Sequence, residues 1–364
     1  APTGTIAGIW ETSYNSIANA NNILKHIDEA QGIFTGDNYA IIKGETLGLR
    51  AFLHFDLLRC FGVSWAVNPD QPAIPYVTEF TYRVFPQLTV RQVIEKIQDD
   101  LTEAEKLLAV DPILTGRTIT ELDDAGYLMN RTVHFNYYAV KALQARVAMW
   151  IGDYPAAALA AQEVMDSEQF SWAAQELMSN GTDPTLVDEQ VFALNNVNLS
   201  TLADTYFNDE RNTTSFSITR TSQFSIFENE TTDLRYLFLF FSGETGETVD
   251  NRYCTKFTQS SSSDMWYQSK MPMIRIGELQ LILAECAWRE NGTGLAEINT
   301  LREVRNVPAL ENEPENFLDY LIREYRRELI GEGQLFFLLK RLDRQYIPGA
   351  DIDARDSKAY TFPL

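Results

Sequence analysis

Apolar positions recur along the first third of the chain with the period of an α-helix. Trp10, Tyr14, Ile17, Asn21 and Leu24 fall at alternating four- and three-residue steps, which stacks them on one helical seam. The single amide in that seam, Asn21, is expected to be buried and satisfied by neighbouring backbone. A second helix is predicted over residues 44–62, where Leu47, Ala51, Phe55 and Leu58 share a face. Gly44 and Gly62 bracket it, and Gly62 is placed as a left-handed C-terminal cap. Glu45 is expected near the positive end of its dipole and Arg59 near the negative end. Arg50 and Asp56 interrupt the apolar middle of this helix, and helix formation alone does not explain them. After a loop with four prolines, Thr89 and Gln92 form a capping box and Leu88 with Val93 a hydrophobic staple. Ile94, Ile97, Leu101, Ala104 and Leu108 continue that helix until Asp111-Pro112 ends it.

Two later segments read as helical hairpins with small residues facing each other. In the first, residues 134–168, Ala142, Ala145 and Met149 precede a Gly152-Asp153-Tyr154-Pro155 turn, and Ala157, Ala161 and Val164 follow it. In the second, residues 278–308, Leu281, Ala284 and Ala287 precede Asn291-Gly292, and Ala296 opens the next face. Each resembles one tetratricopeptide unit. A last helix is predicted over 315–331, faced by Phe317, Leu321, Tyr325 and Leu329. Between the hairpins, residues 171–271 turn rich in Ser, Thr and Asn. Only Val191–Leu194 and Tyr236–Phe241 read as strands there. A polar, turn-rich stretch on a helical scaffold is where binding loops are usually carried.

Charge narrows the partners. The chain has 364 residues and a net charge of −21, which disfavours nucleic acid and anionic lipid headgroups. Cys60, Cys254 and Cys286 form no CxxC and are odd in number, so neither a disulfide framework nor a structural zinc site is expected. No apolar run approaches the roughly 20 residues of a membrane span. Residues 1–10 lack a signal-peptide pattern, and both ends read like cuts inside a longer protein.

Motif chemistry is sparse. There is no GxxxxGK[ST], GxGxxG, HExxH or GxSxG. His26, His54 and His134 are dispersed and expected to be structural, and neither cofactor nor metal is expected. Glu324, Glu328 and Glu332 follow at i, i+4, i+8. Flanking arginines make them salt-bridge partners rather than a hydrolytic pair, because a paired arginine lowers a carboxyl pKa. Aromatics in loops point further. Trp65 shares a Pro/Asn-rich loop with Asn68, Asp70, Tyr76 and Tyr82, and Trp266-Tyr267 follow a serine run. An indole or phenol ring beside amide and carboxylate groups suits a sugar: the ring stacks and the polar groups take hydroxyls. Trp65, Asn68, Asp70, Tyr82, Trp266 and Tyr267 are therefore the candidate glycan-binding residues, and no catalytic residue is assigned.

Taken in order, several segments resemble one family. They are the Trp10–Leu24 helix, Gly44-Glu45 through Phe61-Gly62, and Asp99-Asp100-Leu101 with Ala104. Gly152-Asp153-Tyr154, Asp233 with Arg235, and Tyr253 with Lys256 follow. Arg275, Glu278 through Glu285, Ile298 through Arg302, and Glu324 through Gly333 complete the set. The family is SusD/RagB, surface glycan-binding lipoproteins of Bacteroidetes. Three positions depart from its pattern. Leu335 and Leu338 stand where it often has arginine and aspartate, and Gly277 stands for its usual alanine.

The resemblance implies a mainly α, SusD-like α-α superhelix of TPR-like helical pairs with a few short strands. It implies one domain over 1–364, with a helical scaffold at 1–170 and 272–345 and a loop-rich insertion at about 171–271. It further implies a non-catalytic protein that binds oligo- or polysaccharide at the outer-membrane surface and partners a SusC-like TonB-dependent transporter. The membrane would be reached only through a lipid anchor, whose lipidated cysteine is absent from this chain. Two other readings fit an acidic, aromatic-rich helical chain: a helical α/α-barrel glycoside hydrolase, and a TPR-type protein-interaction scaffold. The interrupted repeat argues against the latter.

Overall fold

A computed structural model describes residues 2–120, 123–179, 183–207, 215–242, 250–259, 267–346 and 360–362. The chain divides into two compact units. One comprises Ala1–Arg131, Phe135–Ala160 and Phe336–Leu364; the other comprises Thr132–His134 and Ala161–Leu335.

In the first unit, α1 (Pro2–Ile27) packs on α2 (Asn38–Phe61). Strands β1 (Pro72–Pro75) and β2 (Gln87–Thr89) pair antiparallel ahead of α3 (Val90–Leu107), which also packs on α2. The capping box holds as read: Thr89 and Gln92 each bond the other's backbone N–H. Asp111 does not merely end α3. It caps the short α4 (Pro112–Thr115) and accepts both arms of Arg131, whose remaining nitrogen reaches Glu45 at 2.6 Å. Helix α5 (Tyr137–Ile151) is capped by Asn136 and ends at Gly152, where φ is +78°; α6 (Tyr154–Met165) follows.

Helix α2 differs from expectation at both ends. It starts at Asn38, so Gly44 lies inside it and Glu45 is far from its positive end. Gly44 serves packing: a Cβ there would sit 2.7 Å from Leu108. Gly62 is extended, with φ −87° and ψ 167°, and not left-handed. Its lack of a side chain is also a matter of room, since a Cβ would meet Leu58 at 2.9 Å and Ala73 at 3.1 Å. The mid-helix Arg50 is buried and clamps three elements. It binds Asp100 of α3 with two nitrogens, at 2.7 and 2.6 Å, and Asn21 of α1 at 2.9 Å. Asn21 also donates to Val77 O, as a buried amide must. Asp56 stays local and pairs with Arg59 on its own helix. His54 is structural: its ring bonds Arg50 O and Val77 N, and burial lowers its pKa to about 3.

The second unit runs α7 (Gln175–Ser179), β3 (Gln190–Asn195), α8 (Leu199–Tyr206), β4 (Ser217–Thr219) and α9 (Arg220–Ile226). It continues with α10 (Leu234–Phe238), β5 (Phe240–Ser242), β6 (Asn251–Cys254) and β7 (Lys270–Arg275). Then come α11 (Ile276–Asn291), α12 (Leu295–Val304), α13 (Phe317–Glu328) and α14 (Gln334–Arg341), the last of which passes back into the first unit. Strand β3 pairs antiparallel with β7, and β6 lies between β4 and β5. The run Tyr236–Phe241 is only half a strand, because Asp233 caps a helical turn over its first residues. The α11–α12 hairpin forms, but Ala296 is exposed; Ile298 and Leu301 make the packed face of α12.

The core of this unit contains a buried ionic cluster. Glu328 receives Arg275 and Arg305 at 2.7 Å and Arg235 at 3.1 Å. Glu189 binds Arg305 and Arg275, Glu324 binds Arg235 and Arg327, and Glu332 binds Arg275 and Lys256. Burial pushes the Glu324, Glu328 and Glu332 carboxyls up, but the neighbouring cations outweigh it, and Glu328 lies well below its ordinary value. The glutamate stripe is thus structural, with Arg302, Arg305 and Arg327 among its partners. Glu332 lies past the end of α13 and joins the cluster from the turn.

Candidate functional site

The loop that carries Trp65 begins where α2 stops. The last carbonyls of a helix lack intrahelical partners. Here Lys340 of α14 supplies them, its buried ammonium group donating to Arg59 O at 2.5 Å and Gly62 O at 2.6 Å. Burial pushes its pKa down to about 7. Arg59 itself lies over the rings of Phe55 and Phe337, at 4.7 and 4.0 Å from their centroids.

From this anchored end the chain turns. Ser64 O accepts from Val67 N and Asn68 N, and Asn68 Oδ1 accepts from Asp70 N at 3.1 Å. The loop then docks on the start of α3: Pro69 O accepts from Arg91 N and Gln71 O from Val90 N. That docking places the Arg91 side chain between two loop residues. Its guanidinium lies 4.9 Å from the centre of the half-buried Trp65 ring. It also binds Asp70 in bidentate fashion, Nε to Oδ1 at 2.8 Å and Nη2 to Oδ2 at 3.3 Å. The hydrogen bond raises the arginine pKa and lowers that of the aspartate, so both stay charged. Arg91 therefore links Trp65 and Asp70, and Asn68 ties down the Asp70 backbone in the same loop.

Tyr82 is fully exposed on the connection between β1 and β2, with Phe80 and Val84 also exposed. Tyr76 is buried and donates to Asp100 at 2.6 Å, so it belongs to the Arg50 clamp. Tyr267 is buried in the second unit. It lines a cavity of about 260 Å³ with Asp183, Leu186, Phe238, Thr255 and Gln259. Burial raises the Asp183 carboxyl, which accepts from Val187 N and Thr185 Oγ1. Trp266 lies outside the described residues.

Sequence reading missed Arg91 and Lys340. Arg91 has a local signal: it follows the capping residue Thr89 by two, and side chains in a first turn point back toward the entering loop. Lys340 has none, since its partners lie about 280 residues away in sequence.

Comparison with known proteins bears on both ends of the chain. Residues 2–118 match the family described as SusD-like, starch-binding and associating with the outer membrane. Residues 242–361 match the SusD family itself. The chain belongs to the SusD/RagB family. The first match contains the Trp65 loop and the Arg50 clamp; the second contains most of the buried ionic cluster. Among SusD/RagB relatives, the chain is 26% identical over 167 residues to SusD-like protein P38 of Formosa agariphila. That match covers 44% of this chain and 27% of the relative, so the chain spans about a quarter of that protein's length. A SusD-like carbohydrate binding protein from Bacteroides vulgatus shares the fold, with a TM-score of 0.73 at 21% identity over 93% of this chain and 70% of that one. So does surface glycan-binding protein A from Bacteroides uniformis, with a TM-score of 0.70 at 19% identity over 94% and 75%. The fold is mainly α with TPR-like helical pairs. Among the described residues no helix is long and apolar enough to cross a membrane, and no cluster of potential metal ligands occurs.

Proposed function

We propose that this chain binds an oligo- or polysaccharide without cleaving it, with Trp65 as the stacking platform. One observation carries the reading: a half-buried indole is held from one side by Arg91, with Asn68 and Asp70 beside it on the surface. An aromatic ring fixed in place loses little freedom on stacking, and amide and carboxylate groups match sugar hydroxyls. Tyr82, Trp266 and Tyr267 are proposed as further contacts. Residues 1–364 are taken as one SusD-like domain whose insertion at about 171–271 supplies some of them. As in other members of the family, the bound glycan would pass to a SusC-type TonB-dependent transporter at the outer face of the outer membrane, with a lipid anchor holding the whole protein there. The names of the Bacteroides proteins of like fold support the binding reading.

A hydrolase reading needs two carboxyls, one with a raised pKa. Glu324, Glu328 and Glu332 have lowered values, and Asp183, whose carboxyl is raised by burial, is tied to its own turn. Native gels cast with candidate polysaccharides separate these readings. Retardation of the chain with no release of reducing sugar is expected. Reducing sugar that accumulates with time would sink the binding reading in favour of hydrolysis.

A further inference from the structure

Resting on that reading, we infer that the Trp65 platform selects an uncharged glycan and rejects uronate-rich or sulfated ones. Anionic sugars are best held by a cation or by the free N–H groups of a helix start, and around Trp65 both the Arg91 fork and the first N–H groups of α3 are already occupied. Arg91 is the cation in contact with the ring, and both arms of its fork end on Asp70. Glu95, one turn further along α3, adds a second negative charge that Arg91 senses.

The start of α3 would otherwise be a good anion site, because helix N-termini present free N–H groups on the positive end of the dipole. Here they are filled from within. Val90 N donates to Gln71 O at 3.0 Å, and Arg91 N to Pro69 O at 2.8 Å. Gln92 N donates to Thr89 Oγ1 at 3.2 Å, and Thr89 N to Gln92 Oε1 at 3.0 Å. The loop that carries Trp65 thus closes the anion pocket its own helix would offer. What remains suits neutral hydroxyls: the Asn68 amide NH₂, the carboxylate lone pairs of Asp70 and the part of the half-buried Trp65 ring that reaches solvent. A net charge of −21 repels a polyanion before it arrives.

The test is affinity electrophoresis of the whole chain at low ionic strength, in gels containing neutral polysaccharides (mixed-linkage β-glucan, xyloglucan, galactomannan, starch) or anionic ones (alginate, polygalacturonate, carrageenan). Trp65→Ala runs alongside. Retardation by at least one neutral glycan, abolished in Trp65→Ala, with none by the anionic set, is the expected result. Asp70→Asn, on an exposed side chain, frees Arg91 and is expected to gain salt-sensitive retardation by an anionic glycan of at least threefold. Retardation of the unaltered chain by an anionic glycan, lost in Trp65→Ala, overturns the inference while the binding reading stands. An Asp70→Asn chain that gains nothing overturns the proposed occupancy of Arg91. If no glycan retards the chain, the binding reading fails and the inference falls with it.

Discussion

Gly277 is defined by what it leaves room for. A Cβ at that position would lie 2.4 Å from Glu328 Oε1, the oxygen that receives both Arg275 and Arg305. The carboxylate has little freedom to move, because its other oxygen is held by Arg235 and Arg305. Alanine, the residue usual at this place in the family pattern, would force the ion pairs apart. Gly277→Ala is expected to lower unfolding free energy by about 1–3 kcal/mol, the usual cost of overpacking a tight core. Urea denaturation measures it, and an unchanged midpoint would mean that the cluster adapts freely. In contrast to Gly277, Arg50 announced itself in the sequence as a charge inside an apolar face. Its partners Asp100 and Asn21 could not be paired with it from spacing alone, since they lie 50 and 29 residues away.

Among the elements, α2 matters most for the site, because its end sets the direction of the Trp65 loop. Lys340 holds that end, and its lowered pKa makes the hold pH-dependent. The unfolded chain keeps this lysine protonated up to its ordinary value of 10.5, whereas the folded chain gives up the proton near 7. Between those values the unfolded state binds more protons, so stability rises with pH. Cys60, beside it, opposes this only above its ordinary value of 9.0. Between pH 7 and 9 the unaltered chain is expected to gain stability, and Lys340→Met to show a flatter slope. Thermal melts across that window check it; equal slopes would contradict the assignment. Local signals carried most helices into view. The capping box of α3, the hairpin glycines 152 and 292 and the alternating apolar steps were all readable because they act within a few residues. The start of α2, the extended Gly62 and the exposed Ala296 were misread because distant packing, by Leu108, Ala73 and the α11–α13 layer, decided them.

At the scale of the whole molecule, fold and family agree from two independent stretches of chain, and the buried charges serve architecture in both units. An acidic exterior and a helical scaffold leave recognition to the loops. Of the six candidate residues, Trp65, Asn68 and Asp70 were legible as a group because they are near neighbours in one loop. Arg91, which joins them, was hidden because it comes from the next helix. This loop is where glycan is proposed to bind. Isothermal titration of a glycan that retards the chain tests it most directly, with the unaltered protein and Trp65→Ala compared side by side. A loss of at least tenfold in affinity, about 1.4 kcal/mol, with an unchanged melting temperature is the predicted result. Equal affinities for the two proteins would contradict the account and move the binding site away from Trp65.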